Sequence, residues 1–115
     1  MNALNYLKTF RKRWALSQDE LGALLGNVAD LRRSSIYRLE EGVRSPTLRI
    51  AFACEVIFDV PPSRLYPDLF AEIEGVVIGR AERMHRALEG LTDEKSRRKR
   101  ELLENMMEQA KRRAP

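Results

Sequence analysis

Apolar residues return every three or four positions along most of the chain, and nowhere do apolar and polar residues alternate over six or more positions. That spacing lines one face of an α-helix and argues against half-buried strands, so an all-α fold is expected. The punctuation between the apolar stripes places the helices. Asn2 is positioned to cap a first helix carrying Leu4, Leu7 and Phe10, with Lys8, Arg11, Lys12 and Arg13 toward a C-terminal end near Trp14. Ser17-Gln18-Asp19-Glu20 has the form of a capping box, followed by a stripe of Leu21, Leu24 and Leu25. Gly26 then fits a left-handed helix end. After a turn at residues 27–30, a third helix is expected over about Leu31 to Glu41, with Ile36 and Leu39 inward and Gly42 closing it. Ser45-Pro46 reads as N-cap and first helical residue of a fourth helix reaching Phe58. That helix offers Leu48, Ala51, Phe52, Val56 and Ile57 to the core, with Cys54 as a small core residue. Pro61 and Pro62 stop it and open a short fifth turn with Leu65 and Tyr66, ended by Pro67.

Beyond Pro67 the pattern becomes a helical hairpin. One long helix carries Leu69, Ile73, Val76, Val77, Ala81, Met84, Leu88 and Leu91, and Gly90 marks a turn. Thr92, Asp93 and Glu94 begin a last helix with Leu102, Leu103, Met106, Met107 and Ala110 on one side. The expected organisation is a five-helix domain over residues 1–66 and a two-helix extension over 67–115. The stripe on the extension either covers the first five helices or pairs with a second copy, and a homodimer is the favoured outcome. Gly75 and Gly79 have the small-xxx-small spacing that permits close helix approach, by design or by coincidence.

Several function classes drop out early. No apolar run approaches the roughly 20 residues a membrane span needs, and the longest uncharged stretch is Leu21 to Ala29. The basic N-terminal segment lacks the apolar block of a secretory signal, so a cytoplasmic protein without a membrane partner is expected. Cys54 is the single cysteine, which excludes an intramolecular disulfide and a thiolate cage. His85 has no second histidine or cysteine at ligand spacing, and neither a nucleophile elbow nor a phosphate-cradling glycine loop occurs. The expectation is no catalytic residue, no metal and no cofactor.

Charge points elsewhere. Residues 1–66 hold ten basic and seven acidic side chains, the remainder eleven and ten, so the bias suits a polyanion. A short capped helix, a turn, and a second helix whose outer face offers Arg32, Arg33, Ser34, Ser35, Tyr37 and Arg38 form the pattern of a helix-turn-helix. Such a helix fits the DNA major groove, where Arg pairs bidentately with guanine. Over about Leu4 to Tyr66 the sequence resembles the phage-repressor-type (Xre-like, lambda-repressor-like) helix-turn-helix proteins. The resemblance rests on Leu7-Lys8 with Arg11, Leu16-Ser17-Gln18-Asp19-Glu20-Leu21, Leu25-Gly26, Ser35-Ile36-Tyr37-Arg38-Leu39-Glu40-Glu41-Gly42, Arg44-Ser45-Pro46 and Ile50-Ala51.

The resemblance implies a five-helix DNA-binding domain in which Gln18 contacts backbone or base, Arg33, Ser34, Tyr37 and Arg38 face the groove, and Arg11 pairs with Glu40 inside the domain. With Arg32, Ser35 and Arg44 these make the candidate site for double-stranded DNA. Two departures stand out: the turn at residues 27–30 is about four residues longer than usual, and Ala15 stands where glycine is frequent. The implied function is a transcription regulator, a repressor by preference. Alternatives are an antitoxin-like autorepressor whose C-terminal helices hold a protein partner, and a protein-interaction module without specific DNA binding. The run Lys95 to Arg100 invites a second nucleic-acid contact. Intrahelical spacing of Glu94 with Arg98, Arg97 with Glu101 and Arg100 with Glu104 favours a solvated, self-paired face instead.

Overall fold

The structure, a computed structural model, describes residues 5–26 and 33–115. Among the described residues there are seven helices and no strand: α1 (Leu7–Arg13), α2 (Gln18–Leu25), α3 (Arg33–Glu40), α4 (Leu48–Phe58), α5 (Pro62–Leu65), α6 (Pro67–Ala87) and α7 (Glu94–Arg113). The chain forms two compact units, Met1–Phe70 and Ala71–Pro115. The core of the first is built from Leu7, Leu21, Leu25, Ile36, Leu39, Ile50, Cys54, Phe58, Val60, Leu65 and Tyr66. Phe10 and Phe58 meet there at 6.0 Å between ring centroids. Cys54 packs wholly buried in this core, and burial pushes its thiol up to about 11.

Local signals explain most helix ends. Ser17 Oγ accepts from the Glu20 amide at 3.0 Å, and Glu20 Oε1 accepts from the Ser17 amide at 2.9 Å, so the expected capping box is formed. Those bonds hold the Glu20 carboxyl below its ordinary range. α1 and α3 end alike. The Leu16 amide reaches back to the Arg11 carbonyl and the Ala15 amide to Lys12, just as Val43 reaches Arg38 and Gly42 reaches Leu39. This closure needs a left-handed residue, Gly42 at φ 73° in one case and Ala15 at φ 57° in the other.

Several expectations are corrected. Asn2 and Leu4 lie outside the described residues, and α1 starts only at Leu7, because the Asn5 side chain accepts from the Leu7 amide at 3.0 Å. Gly26 is not left-handed: its φ of −52° and ψ of −47° continue the helical spiral, and its amide bonds to Ala23 in a tightened last turn. α4 is capped by Thr47, whose hydroxyl accepts from the Ile50 amide, so Ser45 and Pro46 precede the helix. It ends at left-handed Asp59 rather than at the prolines. Its buried face is Ile50, Ala51, Cys54 and Phe58, while Leu48, Phe52 and Val56 point to solvent, Val56 at 84% exposure. Leu24 is likewise exposed on α2, one helical step from the buried pair Leu21 and Leu25.

In the second unit α6 and α7 are joined across the turn by Arg113 to Glu74 (2.6 Å), His85 to Glu104 (3.0 Å) and the Arg100 guanidinium on the Leu88 and Leu91 carbonyls. Asp93 caps α7 by accepting from the Ser96 amide, which lowers its pKa. Gly90 turns at φ 78°. Buried side chains are few: Ala81, Ser96 and Leu103. Ile73, Val76, Val77 and Met84 of the expected stripe stay exposed, and Leu102 departs from its neighbour Leu103 by one helical step and faces water. A Cβ at Gly75 or Gly79 would meet nothing within 4 Å, so neither serves close packing inside this chain.

The left-handed Ala15 carries strain of about 1–2 kcal/mol, against about 0.5–1 kcal/mol of entropy that glycine would lose on folding. Ala15→Gly is expected to stabilise the protein by up to about 1 kcal/mol in urea denaturation, with the slope of the transition unchanged.

Candidate nucleic-acid interface

α3 presents two faces of opposite character. Ile36 and Leu39 are wholly buried against Leu21 and Leu25 of α2, which fixes the helix-turn-helix pair by apolar packing. Tyr37, at 54% exposure, and Arg38 point the other way, and Ser35 is half-buried at the edge. The helix ends in the Gly42 closure, in which the Arg38 carbonyl accepts from both the Val43 and Arg44 amides, bringing exposed Arg44 beside the end of α3. Arg32 and the side chains of Arg33 and Ser34 lie outside the described residues, as does the turn at residues 27–30.

The orientation of α3 is held from its last residue. Glu40 is buried, and its carboxylate accepts from Arg11 Nε at 2.5 Å and Nη2 at 3.1 Å, a bidentate pair. Arg11 Nη1 also donates to the Leu16 carbonyl at 2.8 Å, and pairing with Glu40 raises the Arg11 pKa further. Gln18 Nε2 donates to the same carboxylate at 3.1 Å, while Asn5 Nδ2 donates to the Leu39 and Glu40 carbonyls at 3.0 and 3.2 Å. The N-terminal segment, α1 and α2 therefore all grip one end of α3.

This geometry separates the candidate residues by what they touch. Tyr37 and Arg38 on the open face of α3, and Arg44 just past its end, are all exposed, where an elongated polyanion can reach them. Gln18, half-buried, has a partner within the protein, and its amide positions Glu40. The expected Arg11–Glu40 pair is present and faces inward. Asn5 escaped the sequence analysis because its contacts span more than thirty residues of sequence and leave no local pattern.

With the geometry in place, comparison with known proteins agrees. The model of the family described as helix-turn-helix, of the Xre and lambda-repressor-like type, matches residues 7–65, just over half of the chain. The chain belongs to this helix-turn-helix family. It is thus a DNA-binding protein of the transcription-regulator type. No curated protein and no solved structure gives a match. No helix among the described residues is long and apolar enough to cross a membrane.

Removing one partner of a buried ion pair leaves the other charge uncompensated, at about 3–5 kcal/mol. Glu40→Leu is expected to destabilise the helix-turn-helix domain by that amount in chemical denaturation. Arg11→Met combined with Glu40→Leu should recover most of the loss, because no buried charge is then left unpaired.

Proposed function

We propose that the protein is a homodimeric repressor that reads a two-fold symmetric operator, each copy placing α3 in the major groove of one half-site. The observation that carries this is the outer face of α3, where Tyr37 and Arg38 stand free of the core beside Arg44 while three other elements hold the helix from behind. Arg38 is suited to a guanine edge, and Tyr37 and Arg44 to bases or phosphates. Arg32, Arg33, Ser34 and Ser35 join this set on the strength of the sequence resemblance. Repression then follows from exclusion of polymerase, within a cytoplasmic location.

Support for pairing comes from the hairpin. Two helices alone bury little, and helical stability in proteins depends on covering an amphipathic face. Ile73, Val76, Val77 and Met84 on α6 leave such a face open, and a second copy presents the same apolar surface in return.

The test is selection of bound sequences from random duplex DNA at near-physiological salt. An inverted repeat with half-sites about 10 base pairs apart, or a multiple, is expected. Absence of any enriched sequence would overturn the proposal. On the selected operator, Arg38→Ala should cost about 1–3 kcal/mol and relax preference at one position. In sedimentation, Val77→Asp with Met84→Asp should convert dimer to monomer while the helix-turn-helix unit keeps its fold.

A further inference from the structure

The turn end of the hairpin concentrates charge in a way the helix-turn-helix does not explain. Residues 83–100 contain Arg83, Arg86, Lys95, Arg97, Arg98, Lys99 and Arg100 against Glu89, Asp93 and Glu94, an excess of four that equals the formal net charge of the whole chain, +4. The remaining residues sum to zero, +3 in residues 1–66 being offset by −3 in residues 67–82.

Self-neutralisation, expected from helical spacing, does not occur as the sequence suggests. Glu94 pairs with Arg97 rather than Arg98. Glu104 is engaged by His85, and Arg100 is turned onto the Leu88 and Leu91 carbonyls. Asp93 is occupied in capping α7. Among the described residues, the exposed side chains of Arg83, Arg86, Lys95 and Arg98 make no ion pair or hydrogen bond, and exposed Lys99 meets only the longer-range field of Asp93. Lys95, Arg98 and Lys99 recur at helical spacing on one face of α7, with exposed Leu102 one turn on.

We propose that this face is a second, sequence-independent binding surface for the phosphate backbone of duplex DNA. The inference rests on the reading of the protein as a DNA-bound regulator and adds a contact outside the half-site read by α3. Two features favour duplex phosphate over other polyanions. Residues 71–115 contain no Phe, Tyr or Trp, so the surface lacks the stacking platforms by which single strands are held. Flexible, unpaired cations acting through counterion release suffice for a duplex backbone.

The experiment compares the full-length protein with Lys95→Gln/Arg98→Gln/Lys99→Gln, measuring affinity for a duplex of random sequence across a salt series. Each lost phosphate contact reduces the slope of log affinity against log salt by about 0.9. The triple variant is expected to lower the slope by about 2 to 3 per bound chain, with the base preferences seen in sequence selection unchanged. Lys95→Arg with Lys99→Arg should keep the original slope, which separates loss of charge from loss of fold. An unchanged slope in the triple variant, with wild-type binding intact, would overturn this surface alone. Weakened binding to polyglutamate without change on duplex would overturn it in favour of an acidic protein. Failure of the wild type to bind any duplex would overturn both this inference and the proposed function.

Discussion

The Glu40 carboxylate is the point on which the DNA-binding unit turns. A buried carboxylate is tolerable only when its oxygens are filled by strong donors, and here Arg11 supplies two N–H groups and Gln18 a third. Because the donors come from α1 and α2 while the acceptor ends α3, satisfying one charge sets the relation of three helices. Such a pair adds little net stability over apolar residues of the same size. What it adds is direction: an apolar contact between α2 and α3 allows small rotations, whereas a bidentate ion pair does not. Asn5 tightens the same joint from the N-terminal side by occupying the last carbonyls of α3. Tyr37 and Arg38 on the outer face of α3 inherit this angular definition.

The two units solve the burial problem differently. The first closes eleven side chains into a core and pairs its buried Arg11 with Glu40. The second relies on charged and polar links at its length, and its apolar side chains remain mostly open to solvent. Such a hairpin is stable in proportion to what covers it. Anything that binds such a hairpin in its covered form stabilises it by mass action.

Much of this was legible in the sequence where the controlling interactions are local. The capping box at Ser17, the closures at Gly42 and Gly90, and the inward positions Ile36 and Leu39 all follow from contacts within five residues. α4 was misread because it is apolar nearly all round: periodicity could not choose between the Ile50–Cys54 face and the Leu48–Phe52–Val56 face, and tertiary packing chose the former. Ser45 and Thr47 are both competent caps, and only the folded chain selects Thr47. Gln18 carries a side chain equally able to hold a phosphate or a carboxylate, and its partner lies 22 residues away. The pairing expected from helical spacing on α7 fails for a related reason: Glu94 pairs with Arg97 instead of Arg98, while Glu104 is engaged by His85 and Arg100 by the carbonyls that end the hairpin turn.

The uneven placement of aromatic residues has an optical consequence. Trp14, Tyr6, Tyr37 and Tyr66 all belong to the first unit, so intrinsic ultraviolet fluorescence and near-ultraviolet dichroism arise there alone. Loosening of the hairpin is silent in both signals and shows only in backbone dichroism at shorter wavelength. Two transitions, if the units melt apart, are therefore separable by wavelength in a single unlabelled sample, and exposed Tyr37 places an intrinsic chromophore on the outer face of α3.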